Sequence, residues 1–306
     1  MKITMIGDSR VGKTTFMMST YGLMRDGIQG FKVKCKDSQT DKKLYDAYQQ
    51  FCKRGIYPDA TYQMDHYQYD FYADGDFVMD FSLTDMRGEG IYDIDVEELQ
   101  QEISESDAVI MFLNAYDIIN GEDMEDTIDQ LRIHLNSALR VDDQQKLLMV
   151  IFTQYDRVKQ KQGTFEKLLD TVSDWKRIAE KNDKLIFRAV PTACKPTCMM
   201  NLDFVMTTLM LVGYHREVVV ELERLNNEVE DIKKQFDGGM VDAIKYAFGF
   251  NSKRKKALER YQKLQNEEIP KYEKMEVKFN KLKKFYDDYE IGTTYRVKRK
   301  EDPFSF

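Results

Sequence analysis

Gly7-Asp8-Ser9-Arg10-Val11-Gly12-Lys13-Thr14 fits G-x-x-x-x-G-K-[ST], the pattern of a loop that wraps around phosphates. Its flanks fit as well, since Lys2-Ile3-Thr4-Met5-Ile6 reads as a short buried strand and Thr14 to Leu23 as a helix. Glycines let backbone N–H groups curl around phosphate oxygens, and the helix N-terminus adds positive partial charge. Lys13 can then reach the outer phosphates, the Thr14 hydroxyl can hold Mg²⁺, and Thr15 completes the candidate phosphate contacts. The stretch predicts a nucleoside triphosphate site and leaves the base undecided.

Downstream of this helix, Gly27 to Gly30 marks a break. Phe31 to Cys35 reads as a brief strand, followed by a polar helix from about Asp41 to Arg54. Residues 24–57 thus look like an insertion. Pro58 disfavours helix at Tyr57, so Gly55 to Thr61 reads as a loop. Tyr62 to Tyr72 alternates as a strand does, Asp74-Gly75 is a hairpin turn, and Phe77 to Leu83 is the partner strand. Helices and strands then alternate: a helix near Val96 to Glu105, a strand Val109 to Leu113, a helix near Met124 to Leu139 and a strand Leu147 to Phe152. A helix from about Phe165 to Lys181 and a last strand, Leu185 to Val190, close the series. The expectation is a P-loop NTPase α/β sandwich of three layers with a mostly parallel sheet, whose ligand lies outside the carboxyl ends of the strands.

The pattern changes after Asn201. Val218, Leu222, Leu225, Val229, Ile232 and Phe236 follow a four-three spacing. A second run holds Leu258, Tyr261, Tyr272, Met275, Phe279, Leu282, Tyr286 and Tyr289, and Pro270 should kink or split it. Two long helices joined by a glycine-containing link predict an antiparallel helical hairpin or coiled coil, each arm reaching roughly 50 Å at 1.5 Å per residue. The alternative is that both helices fold back on the sheet as ordinary packing. The expected organisation is a nucleotide domain over 1–212, a hairpin over 213–290 with an apolar tip at 238–250, and a basic, flexible tail over 291–306.

Composition narrows the classes. The chain has 306 residues, 42% of them hydrophobic, which is enough for a sizeable core. Its 46 Lys and Arg against 53 Asp and Glu give a net charge of -7, which argues against a nucleic-acid partner. Cys35, Cys52, Cys194 and Cys198 include no Cys-x-x-Cys pair, so neither a disulfide framework nor a zinc site is expected. Charged and glycine-rich residues follow Met1 at once, and no apolar run approaches membrane-spanning length. The expected compartment is the cytoplasm. One stretch leaves a peripheral membrane contact open, because the apolar tip is followed by the cluster Lys253 to Lys256, so that 238–256 combines an apolar wedge with a basic flank. The same tip can equally cap the hairpin or bind a protein.

Thr153-Gln154-Tyr155-Asp156 directly follows a buried strand, where Ras-like GTPases carry N-K-x-D or T-K-x-D. With the phosphate loop and Asp85-Met86-Arg87-Gly88, which matches D-x-x-G, the first 200 residues resemble a TRAFAC-class, Ras-like GTPase. The resemblance implies GTP and GDP as ligands with Mg²⁺ as cofactor. Asp156 would accept from the two donors on the Watson–Crick edge of guanine. Gln154, in place of the usual lysine, keeps aliphatic cover over the base without the charge. Ala193 or its neighbour Cys194, after the last strand, would bring a backbone N–H to the guanine oxygen. Asn114-Ala115-Tyr116-Asp117 also spells N-x-x-D, but it follows the preceding strand and is set aside as a decoy. By the same likeness Asp85 holds Mg²⁺ through water, and the Gly88 N–H senses the terminal phosphate. Thr61, 24 residues before Asp85, would ligate Mg²⁺ in the triphosphate state and release it on hydrolysis. Tyr57-Pro58-Asp59-Ala60-Thr61 and the insertion before it look like bacterial GTPases of the double-GTPase and conflict-system kind.

Two departures bear on catalysis. Glu89 stands where Ras-like enzymes usually have a water-orienting glutamine, and a carboxylate near a triphosphate is repelled and cannot donate. Slow intrinsic turnover follows unless something compensates. Arg10 is a candidate, because guanylate-binding proteins carry an arginine at this point of the loop that acts as an internal finger on dimerisation; the other reading is a solvated side chain. The sequence predicts a GTP-hydrolysing switch that couples nucleotide state to a helical arm and a protein effector or regulator, with a GTP-dependent homodimer as an option. A dynamin-like GTPase that oligomerises on membrane, and a GTP-locked scaffold with little hydrolysis, remain as alternatives.

Overall fold

The computed structural model describes residues 1–58, 65–86, 96–121, 125–138, 145–159, 162–182, 184–234, 252–287 and 295–296. Thr61, Gly88, Glu89, the apolar tip 238–250 and most of the tail lie outside them. The chain divides into two compact units, Met1–Met210 with Asp288–Phe306, and Leu211–Asp287.

The first unit is built on an eight-stranded sheet. In chain order the strands are β1 (Lys2–Gly7), β2 (Phe31–Cys35), β3 (Asp65–Ala73), β4 (Asp76–Asp85), β5 (Ala108–Asn114), β6 (Lys146–Thr153), β7 (Leu185–Pro191) and β8 (Tyr295–Arg296). Their spatial order is β2-β3-β4-β1-β5-β6-β7-β8. The inner strands β4, β1, β5, β6 and β7 run parallel, whereas β3 pairs antiparallel with β4 and with β2, and β8 antiparallel with β7. Strands β5, β6 and β7 are buried at every position, as expected of parallel strands covered on both faces.

The flanking helices are α1 (Lys13–Asp26), α2 (Ser38–Arg54), α3 (Val96–Glu105), α4 (Ala115–Asn120), α5 (Glu125–Ala138), α6 (Thr164–Thr171), α7 (Ser173–Lys181) and the start of α8 (Leu202–Tyr214). On one face Leu99, Ile103, Leu131, Leu135, Leu168 and Trp175 pack against alternate residues of β5 to β7. Because side chains alternate along a strand, Phe112 of β5 points to the other face and meets Phe16 of α1 edge-on, ring centroids 5.1 Å apart. Helix α2 begins at Asp37, whose carboxylate accepts from the Thr40 N–H, and it ends at Gly55 in the left-handed conformation.

Several features depart from the sequence reading. The helix expected over Phe165 to Lys181 is two, broken at Val172 (φ −109°, ψ 17°), with no glycine or proline to signal it. The strand expected to be last is followed in the sheet by β8, drawn from the segment expected to be a flexible tail. Pairing of Tyr295 with Ala189 and Arg296 with Arg188 extends the edge of β7 there.

In the second unit, α9 (Val220–Lys234), α10 (Ser252–Lys263) and α11 (Ile269–Asp287) form the helical hairpin. Leu222, Leu225, Val229 and Ile232 of α9 bury against Leu264 and Ile269, with Ala257, Tyr261 and Tyr272 alongside. Arg260 ties the arms, its Nε and Nη2 donating to Glu228 at 2.8 and 3.0 Å and its Nη1 to Glu268 at 2.5 Å. Each arm holds one π-helical turn, His215–Val219 and Leu264–Glu268. The second explains how Pro270 is accommodated: the Ile269 N–H bonds back to the Leu264 carbonyl, and the widened turn precedes the residue that has no N–H to give. The expected kink is therefore a change of helical pitch and not a split. No described helix is long and apolar enough to cross a membrane.

Candidate functional site

The carboxyl ends of the parallel strands bring the predicted segments together. Gly7 ends β1, Asp85 ends β4, Asn114 ends β5, Thr153 ends β6 and Pro191 ends β7. The registers Gly7 with Phe112, Asn114 with Thr153 and Phe152 with Pro191 set them side by side.

The loop from Gly7 to Gly12 requires its glycines. Gly7 (φ 152°) runs so close to β5 that a Cβ there would meet the Phe112 carbonyl oxygen at 2.9 Å. Gly12 (φ 102°) caps α1 in a left-handed conformation. Arg10 shares that region (φ 61°), unusual for a residue with a side chain, and is exposed. Asp8 and Ser9 complete the turn, the Ser9 N–H donating to the Asp8 carboxylate at 2.6 Å. Lys13, 6% exposed, folds back across the loop and donates from Nζ to the carbonyls of Gly7 (2.8 Å) and Asp8 (2.9 Å). Burial lowers its pKa, opposed by the charges of Asp85 and Asp8. An ammonium held out of water at the N-terminus of α1 is poised for an anion, which is the condition a phosphate site needs.

Next to it, the Thr14 hydroxyl lies 3.4 Å from Oδ2 of Asp85, which is fully buried. A hydroxyl and a carboxylate side by side form an oxygen donor set of the kind that suits Mg²⁺, a hard cation that takes few protein ligands and completes its shell with water and phosphate. Thr15 is half-buried one residue further on.

The candidate base-reading residues adjoin this loop through Thr153, whose hydroxyl donates to the Val11 carbonyl at 2.6 Å and approaches the Leu113 carbonyl at 3.3 Å. The sequence motif shows where Thr153 lies but not that it joins the two halves of the site. Gln154 takes a left-handed conformation (φ 53°), and its side-chain oxygen accepts from Arg157 at 2.6 Å. That guanidinium also lies over the Tyr116 ring, 3.3 Å from its centroid, so a cation stands three residues beyond the missing lysine. Asp156 is half-buried in the 3₁₀ turn Tyr155–Arg157.

The loop after β7 is fastened to the same segment. The Thr192 N–H donates to the Phe152 carbonyl (2.7 Å), and the Tyr155 N–H to the Thr192 carbonyl (3.1 Å). Ala193 pairs with Met200, its N–H donating to the Met200 carbonyl at 3.4 Å, so this donor has a partner inside the loop. Cys194 follows, half-buried, with burial pushing its thiol up to about 12. The decoy is resolved by geometry: the Asn114 side chain accepts from the Tyr116 N–H at 3.0 Å and caps α4, a short helix absent from the sequence reading.

Solved structures with similar stretches include a bacterial selenocysteine-specific elongation factor, EF-Sec, at 13% identity over 68% of this chain and 28% of that one, with a TM-score of 0.39. A GTP-binding protein from the hyperthermophilic archaeon Sulfolobus solfataricus in complex with GDP is 15% identical over 69% of this chain and 51% of that one, with a TM-score of 0.38. The chain thus covers about half or less of each. No curated protein matches. The model of the Double-GTPase 2 family matches residues 2–183, a stretch that holds the phosphate loop, Asp85 and Asp156. With more than half of its length inside that match, and a phosphate loop built around a buried lysine at the head of a mostly parallel sheet, the chain belongs to the Double-GTPase 2 family of P-loop GTPases.

Proposed function

We propose that the chain binds GTP with Mg²⁺ and hydrolyses it slowly as a molecular switch. The observation that carries this reading is the joining of two chemistries by one hydroxyl. Thr153 donates to the phosphate loop at Val11, and three residues later Asp156 offers the acceptor pair that guanine's two donors match. Lys13, Thr14 and the backbone of Gly7 to Gly12 would hold the phosphates, with Thr14 and Asp85 the metal. When bound, Mg²⁺ would offset charge on the β- and γ-phosphate oxygens. Thr61, Gly88 and Glu89 would report the terminal phosphate to a protein partner through the segments that carry them. Glu89 sets the expectation of slow turnover, because it can accept from the attacking water but cannot donate.

Arg10 supports a further element of this reading. Its exposure and its place in the loop suit a finger that acts when two copies meet. Single-turnover hydrolysis measured across protein concentration tests this. The expected result is a rate that rises with concentration and loses that rise in Arg10→Ala; a rate independent of concentration in both proteins removes the finger and leaves the binding site untouched.

A further inference from the structure

The insertion between α1 and β3 has no place in the reading given so far. Its helix α2 lies against α1 so closely that a Cβ at Gly22 would meet the Tyr48 ring at 2.2 Å, a contact open only to a residue without a side chain. Tyr48 and Phe51 of α2 bury with Met18 of α1 into one apolar cluster, Phe51 being fully enclosed. Two residues of the loop after β7, Cys194 and Met199, pack against this same cluster. That loop is the one fastened to Tyr155 through the Thr192 carbonyl and closed by the Ala193–Met200 bridge. Phe51 has one more neighbour, the ring of Tyr57, with centroids 4.9 Å apart and four residues before Thr61.

The geometry points to α2 as the element that positions the guanine-reading loop, with Phe51 as its positioning residue. This inference rests on the guanine-nucleotide reading above and adds what holds the base-side loop in place. The loop from Pro191 to Met200 has little regular structure of its own and takes its shape from what it packs on. One side is fixed by backbone bonds to β6 and Tyr155, and the other by the Met18–Tyr48–Phe51 cluster. Removing the cluster leaves the phosphate loop's own bonds in place, since Lys13 Nζ donates to the Gly7 and Asp8 carbonyls and the Thr14 hydroxyl to Asp85. It frees the base loop to move, and the cost falls on the base and not on the phosphates. The ring of Tyr57 lies tilted at 57° against the same Phe51 and adds to the apolar surroundings of that side chain.

The test separates base from phosphate. Affinities for GDP, ADP and inorganic tripolyphosphate are measured for the parent, Phe51→Ala, Phe51→Leu and Met199→Ala, each with a thermal melt. Phe51→Ala is expected to weaken GDP about tenfold while tripolyphosphate changes less than about threefold, corresponding to roughly 1.4 kcal/mol confined to the base. Phe51→Leu should recover most of the loss. If Phe51→Ala fails to fold, Met199→Ala trims the cluster from the loop side and is expected to show the same division. Variants that melt earlier but keep the parent's GDP affinity, or that lose GDP and tripolyphosphate equally, overturn the inference. A parent that binds ADP as well as GDP instead overturns the guanine reading beneath it, and the two failures are read from different proteins.

Discussion

At the phosphate loop an ammonium, a carboxylate and a threonine hydroxyl are taken out of water together, whereas along the helical arm the buried seam is apolar and the charges stay at the rim. Lys13, Asp85 and Thr153 are each less than one-tenth exposed. In the arm the enclosed groups are Leu222, Leu225, Val229, Ile232, Leu264 and Ile269, while Arg224, Glu228 and Arg260 pair near the surface. The arm follows the ordinary logic of stability, in which apolar area is removed from water at about 25 cal/mol per Å². The loop runs against it, because desolvating a charge costs free energy that a ligand can later recover. The difference marks one region as built to persist and the other as built to bind.

Substitutions can break that contrast in either direction. The largest expected effect is at Lys13. Lys13→Ala should weaken GTP roughly 100-fold, the scale of a lost hydrogen bond to a charged group, by isothermal titration. Its ligand-free melting temperature should change little, since the desolvation cost of the ammonium is offset by its bonds to the Gly7 and Asp8 carbonyls and by the charge of Asp85; a large fall in stability with affinity retained would make Lys13 a structural residue. Next is Leu225, fully buried in the arm seam. Leu225→Ala should cost about 2–5 kcal/mol in denaturant unfolding of the arm and leave GTP affinity within about twofold. A matching loss of affinity would show that the seam serves the nucleotide as well.

The smallest effect sharpens the contrast with an ion pair of the insertion. Asp41 accepts from Arg25 Nε at 2.8 Å and Nη2 at 3.1 Å, and from the Tyr21 hydroxyl. The hydrogen bonds from Arg25, first among the causes, hold its pKa below the usual carboxylate value. A depressed folded pKa means that this stabilisation is present at neutral pH and is lost as pH falls below about 4. The pair is partly exposed, so Asp41→Asn should cost less than about 1 kcal/mol at pH 7, and the gap to the parent should narrow as pH falls below about 4. A gap that widens in acid would contradict the assignment.

Much of this was legible in the sequence itself. Phe31 to Cys35 and Val96 to Glu105 were marked by alternation and by helical spacing, and the phosphate loop by glycines that have no substitute where Gly7 meets Phe112. What stayed hidden depended on partners distant in sequence. The two-residue strand β8 exists because β7 has an edge to extend, and nothing local in Tyr295-Arg296 announces it. Helix α4 was masked by its own cap, as Asn114 fits a loop motif and an N-cap equally well. Of the two π turns, Pro270 announced a disturbance in the second run but not its form, and nothing local marks the turn at His215–Val219. At the candidate site, Asp85 and Asp156 were marked by motif, and the structure places them at the carboxyl end of β4 and just after β6. The bond from Thr153 to Val11, the turning of the Ala193 N–H toward Met200, and the support that α2 lends the base loop all needed the packed chain.

The central claim is that Asp156 reads guanine beside a phosphate loop that holds the rest of the nucleotide. Competitive titration of GDP and xanthosine diphosphate against the parent and Asp156→Asn tests it most directly, because xanthine presents a carbonyl where guanine presents an amino group and the substitution adds a donor. The account predicts that the parent prefers GDP by about 100-fold or more, the scale at which a site built for hydrogen bonds rejects a mismatched base, and that Asp156→Asn prefers xanthosine diphosphate. An unchanged preference in Asp156→Asn, with both ligands still bound, would contradict it.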